Sequence, residues 1–388
     1  MPSLNFDLPE EYTALQRHAE KIIRDGAAVL EGTDEHSYFS DELLSLFRDS
    51  GLSELMVEGK YGGRFDKIDP LAVCVVREVL VQGSGHLDAL FSLQGIGSYA
   101  ISLAGTEEQK QAWLPKIAKA EALPAMALTE PDHGSDLKNI GTNVREEGDK
   151  LILNGEKAFI SNVGVCNYYI VLAKEGEGHS LILLPSDTPG IEAESGPELL
   201  IGHVIGSLKF TDVEVPVSAR LGTPGQAFPL VLNTLTVFRN SVAGAAVGLA
   251  QSALDEAVRH SRNRTQFGRP LHKLAPVAQL LADCGAEIEG ARLMAYKAAV
   301  KSQNGDPDTL AYASMAKLYA SEMANRVVNR CMQTMGRFSL IKGDKIEKYY
   351  RLVRPMTIYE GASEVLRLGV MQYLVDQDKQ KEESGTDG

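Results

Sequence analysis

The apolar pattern of this chain changes period twice, and that double change limits the architecture more than any single residue does. From about residue 9 to residue 123 apolar positions recur at helical spacing: Leu15, Ala19, Ile22 and Ile23 form one stripe, and Leu43, Leu44 and Phe47 form another behind Asp41, which is expected to cap that helix. Gly51, Gly62 and Gly63 divide the region into short helices, and residues 87–104, rich in Leu, Ile, Ala and Ser, read as a buried helix pair. Thr106 and Gln109 have capping-box spacing, with Glu107 and Glu108 suited to the positive end of the helix dipole. At Leu123-Pro124 the period shortens. Apolar runs at 151–153, 168–173, 181–184 and 208–210, then Val213 and Val215, alternate with Gly, Pro, Asn and Asp, and no helical stretch intervenes. Near Gly225 the sheet pattern ends, and from Phe228 helical stripes return: Ala246, Leu249, Ala253 and Ala257; Leu281, Cys284, Ile288, Ala291 and Ala295; Met315, Leu318, Met323, Val327 and Cys331. The expected plan is an N-terminal all-α domain over 1–122, a compact antiparallel, barrel-like β domain over 123–225, a C-terminal four-helix bundle over 226–376, and a polar, disordered tail over 377–388.

Charge and cysteine usage narrow the function classes. A net charge of -13 would repel nucleic acid and anionic membrane surfaces, so neither is an expected partner, while a local basic site for an anionic ligand stays possible. Cys74, Cys166, Cys284 and Cys331 form no metal-binding or CxxC spacing and read as buried apolar residues in a reducing compartment. The first residues lack the basic and apolar regions of a signal peptide and the arginines of a transit peptide, and no run is read as a transmembrane span; the expected location is cytoplasmic.

Four short stretches carry the chemistry. Met126-Ala127-Leu128-Thr129-Glu130-Pro131-Asp132-His133-Gly134-Ser135-Asp136 opens the β domain, and by itself reads equally as a strand end followed by turns. The others are Gly155-Glu156-Lys157-Ala158-Phe159-Ile160-Ser161-Asn162, Arg264-Thr265-Gln266-Phe267-Gly268, and Ile358-Tyr359-Glu360-Gly361-Ala362-Ser363. Glu360 before a glycine is compatible with a simple helix boundary, and Arg264 with a helix-end arginine. In order and separation, however, the four together resemble the acyl-CoA dehydrogenase family, and the resemblance spans residues 4–374.

That resemblance implies the same helix–sheet–helix plan, FAD held between the middle and C-terminal domains and partly by a neighbouring subunit, and a homotetramer or homodimer. It implies α,β-dehydrogenation of an acyl-CoA thioester, with electron-transfer flavoprotein or a similar acceptor. By position, Met126, Leu128 and Thr129 would line the pyrimidine edge of the flavin, while Phe159 and Ser161, where the family often has Trp and Thr, would flank its ring. Arg264 with Phe267 would reach the pyrophosphate, where guanidinium offers several fixed donors. Gln333, Gly336, Ala362, Ser363 and Glu364 would complete the cofactor site. Ser135, Gly361 and Arg239 would meet the substrate, Arg239 at the entrance facing the anionic CoA. Glu360 would be the base. An acyl thioester releases its β-hydride only if the α-proton is taken at the same time, so a carboxylate opposite the flavin is what the reaction requires, and residues 235–238 supply no competing acid. The sequence departs from the family where Gln333-Thr334-Met335-Gly336-Arg337-Phe338-Ser339 keeps one glycine of three, leaving Arg337 as a candidate phosphate contact, and at Ala362, where relatives carry Thr. Alternatives are a specialised dehydrogenase or oxidase acting on an acyl-carrier-protein thioester, and a non-catalytic helical scaffold.

Overall fold

A computed structural model of the protein describes residues 7–384. The first part is helical: α1 (Glu10–Asp25), α2 (Ala27–Leu30), α3 (Asp41–Asp49), α4 (Pro70–Gly83), α5 (Gly85–Ile96), α6 (Tyr99–Ala104) and α7 (Glu107–Ala118). The capping box of α7 forms as expected, with the Gln109 N–H donating to the Thr106 hydroxyl and the Thr106 N–H to the Gln109 side chain. Asp41 is not the cap of α3. Ser40 is, its hydroxyl accepting from the Leu43 N–H at 3.1 Å, and Asp41 becomes the first helical residue, where its charge suits the helix dipole.

The middle part is one sheet: β1 (Pro124–Ala127), β2 (Asn143–Glu147), β3 (Lys150–Ser161), β4 (Tyr168–Glu175), β5 (Gly178–Pro185), β6 (Ile191–Ser195), β7 (Ile205–Pro216) and β8 (Arg220–Leu221). The strand order is β6-β7-β3-β2-β4-β5-β8, with β1 on β4. Most pairs are antiparallel, but β1 and β2 each run parallel to β4. The unbroken apolar run of β4 follows from burial on both faces: Tyr168, Ile170 and Leu172 join the helical core, while Tyr169, Val171 and Ala173 join the core inside the sheet.

The last part comprises α8 (Ala227–Asn263), the β9 (Thr265–Gln266) and β10 (Arg269–Pro270) hairpin, α9 (Ala275–Asn304), α10 (Thr309–Met335), α11 (Lys345–Val353) and α12 (Ser363–Ser384). α8 is long and apolar enough to cross a membrane, contrary to the reading of the bare sequence, yet most of its apolar stretch is buried in protein. Its glycines explain why it is buried there: a Cβ on Gly244 would lie 2.5 Å from the Cys74 carbonyl oxygen, and one on Gly248 1.9 Å from that of Glu78. Backbone thus meets backbone where α4 crosses α8, and this contact locks the N-terminal helices onto the bundle. The expected tail is also corrected. Residues 377–384 continue α12, a run rich in Gln, Lys and Glu that favours helix and needs no core, whereas 385–388 lie outside the described residues.

Candidate active site

Glu360 sits in the short link between the 3₁₀ turn Arg354–Thr357 and α12, with φ of +52°, followed by Gly361 at +104°. Two left-handed residues in succession turn the chain sharply, and a non-glycine residue there costs about 1–2 kcal/mol. Two buried cations hold the turn. Arg239 of α8 donates from Nε to the Glu360 carbonyl at 2.9 Å, and Lys317 of α10, with no exposed side-chain surface, donates from Nζ to the Gly361 carbonyl at 2.7 Å. Position 361 must be glycine on a second ground, since a Cβ would stand 2.9 Å from Arg239 Nη2. Arg239 is therefore not at the entrance, as the resemblance suggested. It lies inside, because the two left-handed residues turn their carbonyls toward α8 and α10.

The Glu360 carboxylate has an oxygen, Oε2, with no exposed surface and no hydrogen-bond partner. Burial raises its pKa above the ordinary value, against the pull of Arg77, Lys317 and Arg239. Burial likewise pushes Lys317 down to about 8, with Glu360 opposing. Beneath Tyr359 and Glu360, Arg77 of α4 is 3% exposed and bidentate to Asp88 of α5, at 2.8 and 2.6 Å, with a third bond of 3.0 Å to Ser241 of α8. Asp88 is thereby committed, and of the two carboxylates Glu360 is the one with a buried oxygen left unpartnered. Beside it the space between α5 and α8 is filled by Phe238: a Cβ on Gly95 would meet its ring at 2.2 Å, and Tyr99 packs edge-on at 6.2 Å.

The end of β1 is fixed from below. Lys157, fully buried on β3, donates to the Leu128 carbonyl and to Glu130, both at 2.9 Å, and the Ala158 N–H donates to the Thr129 carbonyl at 3.0 Å. Glu130 also accepts from the N–H groups of Gly141 and Thr142. Burial would raise its pKa, but bonds from Thr142, Gly141 and Lys157 hold it down at about 2. Met126, Leu128 and Thr129 thus form a half-buried rigid edge. On β3 a register shift between Lys157 and Ile160 throws Phe159 outward at φ +56°, 57% exposed, next to a half-buried Ser161. The Ser161 hydroxyl is 2.8 Å from Nε2 of His203.

The remaining candidates fall into two other places. Ala362, Ser363 and Glu364 line a cleft of about 440 Å³ with Asn325, Arg326 and Arg354, and the buried Ser363 hydroxyl has no partner. Ser135 is exposed in the turn after β1. Arg264 lies at the far end of the bundle against Phe338, whose ring carries Arg264 at 5.6 Å, Arg337 at 5.3 Å and His260 at 5.3 Å; Gln333 and Gly336 stand at the end of α10 just before that ring, and Phe267, in the β9–β10 turn, is exposed. Gln333 lies 16 residues beyond Lys317 on α10, roughly 24 Å along the axis. Ser339, where the family has glycine, turns inward and donates to the carbonyls of Met332 and Gly336, closing the end of α10. Residues 257–282 contain Arg259, Arg262, Arg264, Arg269 and Lys273 without one acid, a basic patch on an acidic chain.

These features fit FAD: an outward aromatic beside a hydroxyl, a rigid backbone edge, a cleft with an unpaired buried hydroxyl, and guanidiniums for phosphate. Reading the sequence missed Arg77, Asp88, Lys157, His203 and Lys317. Lys317 was legible, standing on the buried stripe of Ala313, Ala316, Ala320 and Ala324, and so was Arg77 inside the apolar run of α4. His203 carries no local signal.

The families described as acyl-CoA dehydrogenase N-terminal, middle and C-terminal domains match residues 9–121, 125–213 and 225–374. The human mitochondrial short-chain specific acyl-CoA dehydrogenase is 34% identical over 333 residues, 84% of this chain and 80% of that protein. The structure of butyryl-CoA dehydrogenase from Megasphaera elsdenii superposes with a TM-score of 0.91 at 30% identity, covering 96% of this chain and all of that one. A Mycobacterium smegmatis glutaryl-CoA dehydrogenase in complex with FADH2 gives 0.88 at 26% identity, with 95% of each chain covered.

Proposed function

The chain belongs to the acyl-CoA dehydrogenase family, FAD-dependent oxidoreductases acting on CH–CH donors, and we propose that it converts a short acyl-CoA thioester to the trans-2-enoyl thioester with Glu360 as the base. The observation that carries this reading is the buried, unpartnered Glu360 oxygen held among Arg77, Lys317 and Arg239. FAD, when bound, supplies the acceptor for the β-hydride. The protein's own part is to take the α-proton at the Glu360 carboxylate. Burial favours the neutral acid that forms and raises the carboxylate's affinity for the proton, while the three cations oppose that rise. Arg239 and Lys317, by fixing the two carbonyls, aim the carboxylate and set the Glu360 N–H to hold the thioester oxygen as enolate charge develops. Asp88 cannot substitute as base, because both its oxygens are bound by Arg77.

Phe238, which closes the space between α5 and α8 against Gly95, supports a short acyl group. The similarity to short-chain and butyryl-CoA dehydrogenases agrees with it. The basic patch around Arg264, far from Glu360 on the same chain, suits the phosphates of FAD in a neighbouring subunit of a homotetramer, and electron-transfer flavoprotein is the proposed acceptor. A series of acyl-CoA thioesters, followed by bleaching of the flavin absorbance, tests the substrate. Four-carbon chains should bleach the flavin faster than eight-carbon chains. Inertness of every CoA ester, with reaction of an acyl-carrier-protein thioester, would overturn the proposal.

A further inference from the structure

Three parts of the chain meet behind Ser161. Its hydroxyl is bonded to His203 Nε2, on the segment leading into β7; His86 of α5 lies beyond, 1% exposed, with neither ring nitrogen hydrogen-bonded. The His203 segment is pinned to the N-terminal domain. The Gly202 N–H donates to the Asp34 carbonyl at 2.9 Å, and a Cβ on Gly202 would lie 2.1 Å from the His36 carbonyl oxygen. Asp34, itself 1% exposed, accepts from the His86 N–H at 2.9 Å and pairs with Lys348 at 2.8 Å. His203 therefore stands on a fixed platform and does not follow Ser161 passively.

Burial, with His86 alongside, pushes His203 down to about 4, so the ring is neutral near pH 7. A neutral imidazole nitrogen is either an acceptor or a donor, never both. If Nε2 accepts, Ser161 must aim its O–H at His203 and show only lone pairs on its other side. If Nε2 donates, the serine oxygen is the acceptor and its proton must point away from His203. In either case one tautomer fixes the direction of a hydroxyl that would otherwise rotate freely.

We propose that His203 is a positioning residue that sets the orientation of the Ser161 hydroxyl toward the flavin, and through it the balance between oxidised and reduced cofactor. This rests on the FAD reading above. The oxidised flavin nitrogen that receives hydride accepts a hydrogen bond and the reduced one donates, so a hydroxyl locked in one direction favours one redox state over the other. His203 acts through Ser161, the hydroxyl it bonds.

The test is the two-electron midpoint potential of the flavin, measured by dye-linked titration on full-length holoenzyme with flavin content and secondary structure checked. His203→Leu should change the reduced-to-oxidised ratio about tenfold, equivalent to about 30 mV for a two-electron couple. The sign tells which nitrogen carries the proton. His203→Gln, whose amide reaches the serine, should restore most of the wild-type potential, and in a Ser161→Ala background His203→Leu should shift nothing. A wild-type potential in His203→Leu, or the same shift with and without Ser161, overturns the proposal. A wild-type protein that neither carries nor binds FAD removes the cofactor reading and this inference with it, an outcome visible before any potential is measured.

Discussion

Lys157→Met is the most informative perturbation of the scaffold. The ammonium is fully buried, and Glu130 beside it is 6% exposed. Removing the lysine leaves a buried carboxylate with two backbone N–H donors and no cation, a change that typically costs about 3–5 kcal/mol. The Leu128 carbonyl loses its donor as well, worth about 1 kcal/mol. Urea unfolding followed by circular dichroism should therefore show a loss of about 4–6 kcal/mol, with weakened FAD retention because Leu128 and Thr129 are no longer held. Glu130→Gln added to Lys157→Met removes the stranded charge and should recover about 2–3 kcal/mol of that loss. The pH dependence has a definite sign. In the wild type Glu130 is held near 2, so its contribution is present above the ordinary carboxylate range and lost as pH falls toward 2. In the variant only the Gly141 and Thr142 bonds still hold the proton off, so Glu130 protonates at higher pH than in the wild type and the gap from wild type narrows as the medium is acidified. A single-variant cost under about 1 kcal/mol, or a double variant no better than the single, would refute the reasoning.

Two further predictions concern the turn. Gly361→Ala should keep the fold but cut turnover sharply, since the new methyl presses on Arg239 at 2.9 Å in a left-handed backbone; unchanged kcat with normal flavin content would contradict the clamp. The acid limb of kcat/KM should lie at higher pH than an ordinary carboxylate gives, because burial raises Glu360 and the base works only when ionised: activity is full above its pKa and falls as pH drops through it. A rate that stays level down to the ordinary carboxylate range would argue against Glu360.

The sequence disclosed what depends on period and on local chemistry. Strand and helix stripes at Tyr168–Ala173 or Leu281–Ala295 were legible because burial repeats along the element. The capping box at Thr106 was legible because both partners lie within one turn. Arg239 was misplaced because a cation's residue type does not tell whether it faces CoA or a carbonyl turned inward by residues 121 positions away. Asp41 failed by one position since Ser40 and Asp41 are both good caps, and the cap bond to the Leu43 N–H falls to Ser40. His203 was invisible: its meaning lies in contacts with Ser161, His86 and the Asp34 platform, which only the closed fold brings together.

The central claim is that Glu360 takes the α-proton, and Glu360→Gln tests it most directly. The amide keeps the shape of the side chain and cannot accept that proton, so the variant should purify yellow, with wild-type FAD content, and lose α,β-dehydrogenation of a four-carbon acyl-CoA by about 10³-fold or more. Flavin bleaching in a stopped-flow single turnover reads the chemical step itself. Bleaching at a rate comparable to wild type would contradict the assignment.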